Sequence, residues 1–182
     1  MRRIKVAIEG TRAILLNNPA EMGNANSTGK KKIPTPKEEA ERSCYLTEDK
    51  TSLAFPAMNL HRSMIHAAGA FKAGRLSMTP YIAGGVEIEP EMLSFNTDKY
   101  LVDTRRAVVQ RQGIMRSRAR IPQGWKLSCE LLISEEDLPQ KSNLDMLKEI
   151  LTEAGRRIGI GDFRPQKTGP FGKFKIVEWK EI

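Results

Sequence analysis

Cationic side chains are the groups in this sequence best suited to binding chemistry, and they lie in two blocks. Residues 101–126 carry seven Lys or Arg against one Asp, and residues 155–175 carry six against one. The intervening residues 127–154 carry seven acids against two bases. Concentrated positive charge on a chain of net charge +8 favours a polyanionic partner, above all a nucleic acid. A solvated basic surface, or pairing with the acidic segment of a neighbouring subunit, is the alternative.

The first block contains arginines with the periodicity of a β-strand. Arg116, Arg118 and Arg120 alternate, so in a strand they would share one face at intervals of about 7 Å. That interval is close to the phosphate spacing of an extended single strand, and guanidinium groups bind phosphate oxygens well. The candidate nucleic-acid-binding residues of this block are Arg105, Arg106, Arg111, Arg116, Arg118 and Arg120.

The second block includes a glycine-rich stretch, GIGDFRPQKTGPFGKF, at residues 159–174. Its glycines are Gly159, Gly161, Gly169 and Gly172. The stretch is not a P-loop, because Gly172-Lys173 is followed by Phe174 rather than by Ser or Thr. It is not a dinucleotide fingerprint either, because Arg164 stands where the third glycine is required. ATP and NAD chemistry are therefore excluded, and no cofactor is predicted.

Two interpretations of the glycine-rich stretch remain open. Glycines let a backbone approach phosphates closely, and Arg164, Lys167 and Lys173 would then be the phosphate contacts. Alternatively the stretch is a structural turn, in which Gly159 is the left-handed residue that ends the preceding helix. Asp162 would brace the loop by pairing with an arginine. Phosphate binding is the favoured interpretation.

Histidine and cysteine are too few and too scattered for a metal site. His61 and His66 are five residues apart, so on a helix they do not share a face as an i, i+4 pair would. Cys44 and Cys129 lack CxxC spacing, which indicates neither zinc nor a disulfide and favours a reduced intracellular compartment. No metal is predicted. His61 and His66 remain the candidates for catalysis if the protein is a ribonuclease.

Four aromatic residues could stack on bases or pack in the core: Tyr81, Phe95, Phe163 and Trp179. Single aromatic residues outside a recognised stacking motif are more often core or edge packing, and we favour that reading here. Both roles remain open from the sequence alone.

An α+β framework is predicted to position these residues. Apolar residues alternate over residues 4–8, which indicates a strand, and helical spacing predicts helices over 59–73 and 142–158. Further strands are predicted within 81–95, 100–122, 125–134 and 174–180. Without its inserts the order is βαββαβ, the ferredoxin-like arrangement shared by RRM domains, with an antiparallel sheet and helices on one face. An open face lined by arginines and aromatics would suit a single strand.

The chain is predicted to be one domain, residues 1–182, with two elaborations. Residues 20–50 are polar and charged and are expected to form a long mobile loop or insertion. Residues 100–122 are expected to form an arginine-rich β-hairpin insertion. No run approaches the 18 or so apolar residues of a transmembrane helix, so no membrane association is predicted.

The glycine-rich stretch also resembles a family motif. It is similar to the glycine-rich loop that follows the last helix in the RAMP superfamily of CRISPR-associated proteins, which includes the backbone subunits of effector complexes. The family pattern resembles GhG, a short basic spacer and a second GhG. Here the spacer runs over residues 162–168 and the second element is Gly169-Pro170-Phe171-Gly172. The resemblance implies a ferredoxin-like fold and RNA binding, and some RAMP members cleave RNA with a histidine-containing site.

A second resemblance is to small, mostly uncharacterised phage proteins, some of them RAMP-like. Four stretches match in order along the chain: ILLNNP at 14–19, VDTRR at 102–106, IMRSRARIP at 114–122, and GIGDFRP with FGKF at 159–174. The resemblance implies an origin in a phage or mobile element and a location in the cytoplasm of a bacterial host cell.

The interpretation favoured by the sequence is a non-enzymatic protein that binds single-stranded RNA or DNA. By resemblance to effector backbone subunits, it would form a homo-oligomer along the strand or be a subunit of a ribonucleoprotein complex. One alternative is a metal-independent endoribonuclease that uses His61 or His66. The other is an interaction protein that mimics or inhibits a host complex containing RAMP subunits.

Overall fold

The computed structural model describes residues 1–19, 34–109, 111–134, 136 and 142–182. Within this part of the chain, a four-stranded antiparallel sheet carries helices on one face. The elements of this unit, numbered in chain order, are β1 (Arg2–Gly10), α2 (Ala57–Ala68), β7 (Val86–Glu89), β11 (Lys126–Ile133), α4 (Ser142–Glu153) and β12 (Phe174–Glu181). The strand order β12-β1-β11-β7 is that of a ferredoxin-like βαββαβ unit. The predicted α+β fold class is confirmed.

The core lies between the sheet and its helices and follows directly from the apolar periodicities. Ile4, Val6 and Ile8 point from β1 into the core and are fully buried. They pack in one cluster with α2 and α4, whose buried side chains include Leu60, Met64, Leu147, Ile150 and Leu151. Burial of this apolar surface is the main favourable term in folding.

Aromatic side chains form a chain of edge-to-face contacts across the core. Phe55 contacts Phe95, Phe95 contacts Trp125, and Trp125 contacts Phe174, with ring centroids 6.0–6.5 Å apart. Phe95 is therefore a core residue, as the packing interpretation has it. Gly10 lies under the Trp125 indole, where a Cβ atom would clash with the ring.

The outer face of the sheet differs from the expected surface of arginines and aromatics. Cross-strand pairs there join acids to bases: Lys5 with Glu178 at 3.6 Å, Arg3 with Glu130 at 3.6 Å, and Lys175 with Glu9 at 3.4 Å. Trp179 pairs in register with Val6 and so lies on the inner face, packed against the core. Among the described residues of these strands, the outer face is charge-balanced and carries no aromatic ring. It lacks the stacking platform of RRM-type sheets.

The first insertion, between β1 and α2, contains a helix within the segment that the sequence predicts to be a mobile loop or insertion. Its elements are β2 (Ile14–Leu15), α1 (Pro36–Arg42), β3 (Tyr45–Leu46) and β4 (Leu53–Pro56). Residues 36–42 are helical rather than a loop, because Thr35 and Glu38 form a capping box. The Glu38 N–H donates to Thr35 Oγ1 at 3.3 Å, and the Thr35 N–H donates to the Glu38 carboxylate at 2.7 Å. Residues 20–33 of the predicted loop lie outside the described residues.

The second insertion, between α2 and β7, contains two short strands and a helix: β5 (Lys72–Ala73), β6 (Leu76–Ser77) and α3 (Thr79–Gly85). The α3 helix begins with a proline in its first turn, which suits that position. The predicted strand over 81–95 is therefore wrong for 81–85, and the strand β7 begins only at Val86.

The third insertion, between β7 and β11, contains the predicted arginine-rich hairpin. It consists of β8 (Met92–Ser94), β9 (Leu101–Val109) and β10 (Gln112–Ile121). β9 and β10 pair along their length, and β10 also pairs with β2 in a second sheet. β8 and β4 pair in a third sheet with β3. Within the described residues, no helix is long and apolar enough to span a membrane.

Candidate nucleic-acid interface

The hairpin places its arginines on one face, as the alternation predicts. In the register of β9 and β10, Arg116 lies opposite Arg105, and Arg118 lies opposite Asp103. Because residues directly opposite each other in antiparallel strands share a face, Arg105, Arg116, Arg118 and Arg120 share one face. The geometry therefore has the predicted ladder of guanidinium groups.

Carboxylates from three parts of the chain pair with this ladder. Arg118 Nε lies 3.0 Å from Asp162 Oδ2, and Arg116 Nε lies 3.3 Å from Glu39 Oε1. Arg120 Nη1 lies 3.7 Å from Asp103 Oδ2, and the Asp103 carboxylate also accepts hydrogen bonds from Arg105. The side chain of Asp103 is only 8% exposed, and its hydrogen bonding raises the pKa of Arg105. A phosphate that reached these arginines would compete with partners already in place.

Helix α1 supplies one of these carboxylates and also covers part of the free edge of β10. The Ser117 N–H donates to Glu39 Oε2 at 3.0 Å, and the Ala119 N–H donates to Ser43 Oγ at 2.8 Å. An uncovered strand edge is a site for unwanted pairing. The sequence signal for α1 is the capping box at residues 35–38, and nothing local in the sequence indicates its contact with β10.

The glycine-rich loop folds against the start of the first insertion and so lies beside the hairpin. After α4 the chain forms a π-helical turn (Ala154–Ile158), and a short 3-10 turn (Pro165–Lys167) lies within the loop. The Asp162 N–H donates to the Leu15 carbonyl at 2.9 Å, and the Gly172 N–H donates to the Ala13 carbonyl at 2.8 Å. The two cationic blocks of the sequence therefore meet through Asp162, which binds β2 by its backbone and Arg118 by its side chain.

The glycines of the loop are required by the protein's own backbone. Gly161 has φ +79°, and a Cβ there would lie 2.7 Å from the Leu15 carbonyl oxygen. Gly172 has φ +71°, and a Cβ there would collide with the Ile160 carbonyl oxygen. A Cβ at Gly169 would collide with the Phe163 carbonyl, and Gly159, at φ +72°, follows the last helical turn. These glycines have the role of a structural turn, whether or not the loop also binds phosphate.

A stacked cluster of rings and a guanidinium joins the hairpin to the loop. The Arg105 guanidinium lies 4.8 Å above the centre of the Phe171 ring, and Phe171 lies 6.2 Å from Phe163. Phe171 is buried, whereas Phe163 is 38% exposed. The cluster therefore presents one aromatic surface to solvent beside a cation. Phe171 is not among the candidate residues predicted from the sequence, because its partner Arg105 is distant along the chain.

Other predicted cations have no carboxylate partner among the described residues. Arg106 lies over Gly113 on the second face of the hairpin, and Arg111 lies at the hairpin turn with φ +67°. Lys167 is exposed on the glycine-rich loop. Arg164 donates to Gln166 Oε1 at 2.9 Å and to the Gly161 carbonyl at 3.1 Å, so its charge is not neutralised.

Lys173 is separated from the other predicted cations. Its side chain lines a groove beside β12 together with Lys148 and Lys175, and its carbonyl accepts a hydrogen bond from the Thr11 N–H. No hairpin residue lines this groove, so the structure does not bring Lys173 to the stacked cluster.

The two histidines face different surroundings. His61 Nε2 lies 2.9 Å from the Ile82 carbonyl of α3. His66 instead lines a cavity beside the glycine-rich loop. Within the described part of the chain, no group of three His, Cys, Asp or Glu side chains could hold a metal ion. Burial raises the pKa of Cys44 to about 11 and that of Cys129 to about 12, so both are protonated thiols at neutral pH.

Comparisons with known proteins identify the fold. No protein-family model and no curated protein sequence matches the chain. Among solved structures, it is similar to a chain in the cryo-EM structure of the Type III-B Cmr-beta bound to cognate target RNA, with a TM-score of 0.61 and 8% identity. The match covers all of this chain and 60% of that chain, so this chain spans about three fifths of its relative's length. At this identity the likeness shows a shared fold.

Proposed function

We propose that this protein binds single-stranded RNA where the hairpin meets the glycine-rich loop. The observation that carries the proposal is the stacked cluster of Arg105, Phe171 and Phe163, which leaves the Phe163 ring partly open to solvent on the loop that also carries the exposed Lys167. Aromatic rings stack on unpaired bases of any sequence, and cations follow the phosphates. A surface with both is suited to single strands rather than duplexes.

Charge balance divides the predicted arginines into two roles. Arg116, Arg118 and Arg120 hold α1, the loop and the hairpin together through their carboxylate partners. Arg106, Arg111 and Lys167 have no such partner among the described residues and are exposed. We therefore propose that the strand leaves the cluster along this second set, from Lys167 on the loop to Arg111 at the hairpin turn and Arg106 on the second face, because a free guanidinium binds phosphate without first losing an ion pair.

RNA is preferred to DNA in this proposal because the similar solved structure belongs to a complex bound to target RNA. The same likeness supports the proposal that the chain belongs to a ribonucleoprotein complex. Assembly of several copies along one strand remains a prediction from the sequence resemblance. A phage or mobile-element origin and a location in the bacterial cytoplasm remain predictions from the sequence resemblance.

Fluorescence anisotropy with labelled oligouridylate of about 20 nucleotides, repeated at several salt concentrations, tests the proposal. Each phosphate contact to a single strand is expected to contribute about −0.7 to the slope of log K against log salt. The matching deoxythymidylate oligonucleotide tests the preference for RNA. Absent binding, or binding that does not change with salt, would overturn the proposal and favour the protein-interaction alternative.

Replacing the exposed ring is the most direct test of stacking. Phe163→Ala is expected to weaken oligouridylate binding about tenfold, because one base–ring stack contributes roughly 1–3 kcal/mol. Phe163→Trp keeps a stacking surface and is the matched control, with affinity within about threefold of the parent. Equal loss of affinity in both variants would show that the ring acts only through the fold of the loop.

A further inference from the structure

A cavity of about 320 Å³ lies between α2 and the glycine-rich loop, apart from the stacked cluster. Asn59, Arg62 and His66 line it from the helix, and their spacing of three and four residues places them on one helical face. Asp162 and Arg164 line it from the loop. The cavity therefore joins the loop to a helix face that the proposed interface does not use.

The charges in this cavity are not balanced. The side chains of Arg62 and His66 make no hydrogen bond or ion pair within the described part of the chain. Among the residues that the structure describes, Arg164 has only neutral acceptors, Gln166 and the Gly161 carbonyl. Asp162 is the one acid among the described lining residues, and its carboxylate already binds Arg118 and the Phe163 N–H. Two guanidinium groups and an imidazole thus line the cavity beside a single carboxylate that is already paired, which favours an anionic ligand.

Other lining residues are suited to the uncharged part of such a ligand. Tyr45 contributes aromatic surface, and Asn17 contributes amide groups. Tyr45 Oη donates to the Asn17 carbonyl at 3.1 Å, which fixes the ring, and burial raises the pKa of Tyr45, so the hydroxyl is neutral. A few polar groups beside apolar walls, in a volume at the lower end of small-ligand sites, fit a ligand of the size of one nucleotide.

We propose that this cavity binds one nucleotide of a single strand, with its phosphate held by Arg62, His66 and Arg164. The base or sugar lies against Tyr45. The inference rests on the proposed function, because the cavity shares the glycine-rich loop with the RNA interface. It adds a nucleotide pocket on the helix side of that loop.

The presence of only two histidines makes proton NMR of the imidazole groups a direct test. Uridine 5′-monophosphate is expected to shift the His66 ring resonance in a saturable manner. The His61 resonance is expected to stay fixed, since His61 is hydrogen-bonded to the Ile82 carbonyl outside the cavity. An unchanged His61 resonance also reports that the fold is intact. Substituting each histidine in turn assigns the two signals. Uridine, which lacks the phosphate, is expected to leave His66 unchanged.

Arg62→Gln is expected to weaken uridine monophosphate binding about tenfold, because it removes a charge-assisted hydrogen bond to the phosphate. Arg75→Gln is the matched control, since Arg75 is also an exposed arginine without a described partner but lies outside the cavity lining. Its affinity should stay within about twofold of the parent. Equal weakening in both variants would overturn the assignment of the phosphate to this cavity.

Two further results separate this proposal from the proposed function. If His66 does not respond to uridine monophosphate while oligouridylate still binds, the pocket is wrong and RNA binding stands. If His66 responds and Arg62→Gln abolishes the response, but oligouridylate does not bind, the pocket stands as a mononucleotide site and the RNA interface is wrong. Equal affinity for inorganic phosphate and uridine monophosphate would overturn the nucleotide part of the proposal.

Discussion

Replacing Gly172 with alanine is expected to lower the free energy of unfolding by about 3–5 kcal/mol. Gly172 has φ +71°, and an added Cβ would collide with the Ile160 carbonyl oxygen. That oxygen belongs to backbone, so it cannot rotate away as a side chain would. The Gly172 N–H also donates to the Ala13 carbonyl and its carbonyl accepts from the Ile160 N–H, so a local shift breaks bonds on both sides.

Gly74→Ala is the control for Gly172→Ala. Gly74 has φ +63°, but a Cβ there would have no neighbour within 4 Å. It therefore suffers only the left-handed backbone penalty, about 1 kcal/mol. Urea denaturation followed by circular dichroism measures both variants. A cost for Gly172→Ala no greater than that for Gly74→Ala would show that the loop is not closed on itself as described.

The glycines of this loop show which part of its structure can be predicted from the sequence. Their density predicts that the backbone approaches something closely, and this is correct. What it approaches cannot be read from the stretch itself, because the carbonyls of Leu15 and Ala13 lie at the other end of the chain. The answer depends on tertiary packing that no local pattern contains.

The arginine ladder gives a second example. Alternation at residues 116–120 correctly predicts a shared face, because strand geometry fixes it locally. The carboxylates that occupy this ladder come from Asp103, Asp162 and Glu39, and the last two are distant in sequence. Glu39 lies in α1, whose seven residues are too few for a stable isolated helix. We infer that packing against β10 stabilises α1. The polar composition of this segment therefore does not reveal the helix.

The fold can be predicted from the sequence because the patterns that indicate its strands and helices are local and repeated. Period-2 alternation in β1 and the apolar stripes of α2 and α4 each indicate their element, and the order of elements then restricts the topology. The composition of the outer sheet face cannot be predicted from the sequence in the same way. Placing Trp179 inward and pairing Lys5 with Glu178 both depend on the register between β1 and β12, which includes a bulge at Ala7.

The cations without a carboxylate partner, rather than the densest group of arginines, are therefore predicted to bind phosphate. Replacing Arg106, Arg111 and Lys167 together with glutamine is expected to weaken oligouridylate binding roughly 100-fold. These cations have no carboxylate partner among the described residues, so a phosphate gains their full attraction. The slope of log K against log salt should fall by about 2, the contribution of three phosphate contacts.

A matched triple variant removes the same charge from another surface. Arg3, Lys126 and Lys175 lie on the outer sheet face and pair with Glu130 and Glu9. Replacing all three with glutamine should change affinity by less than about threefold, since exposed pairs already offset their charge and general attraction is weak at physiological salt. If this variant loses as much affinity as the first, binding follows net charge or uses the open sheet. The hairpin and loop would then not be the interface. If only the first variant loses affinity, unpaired cations define the path of the strand, and the arginine ladder is structural.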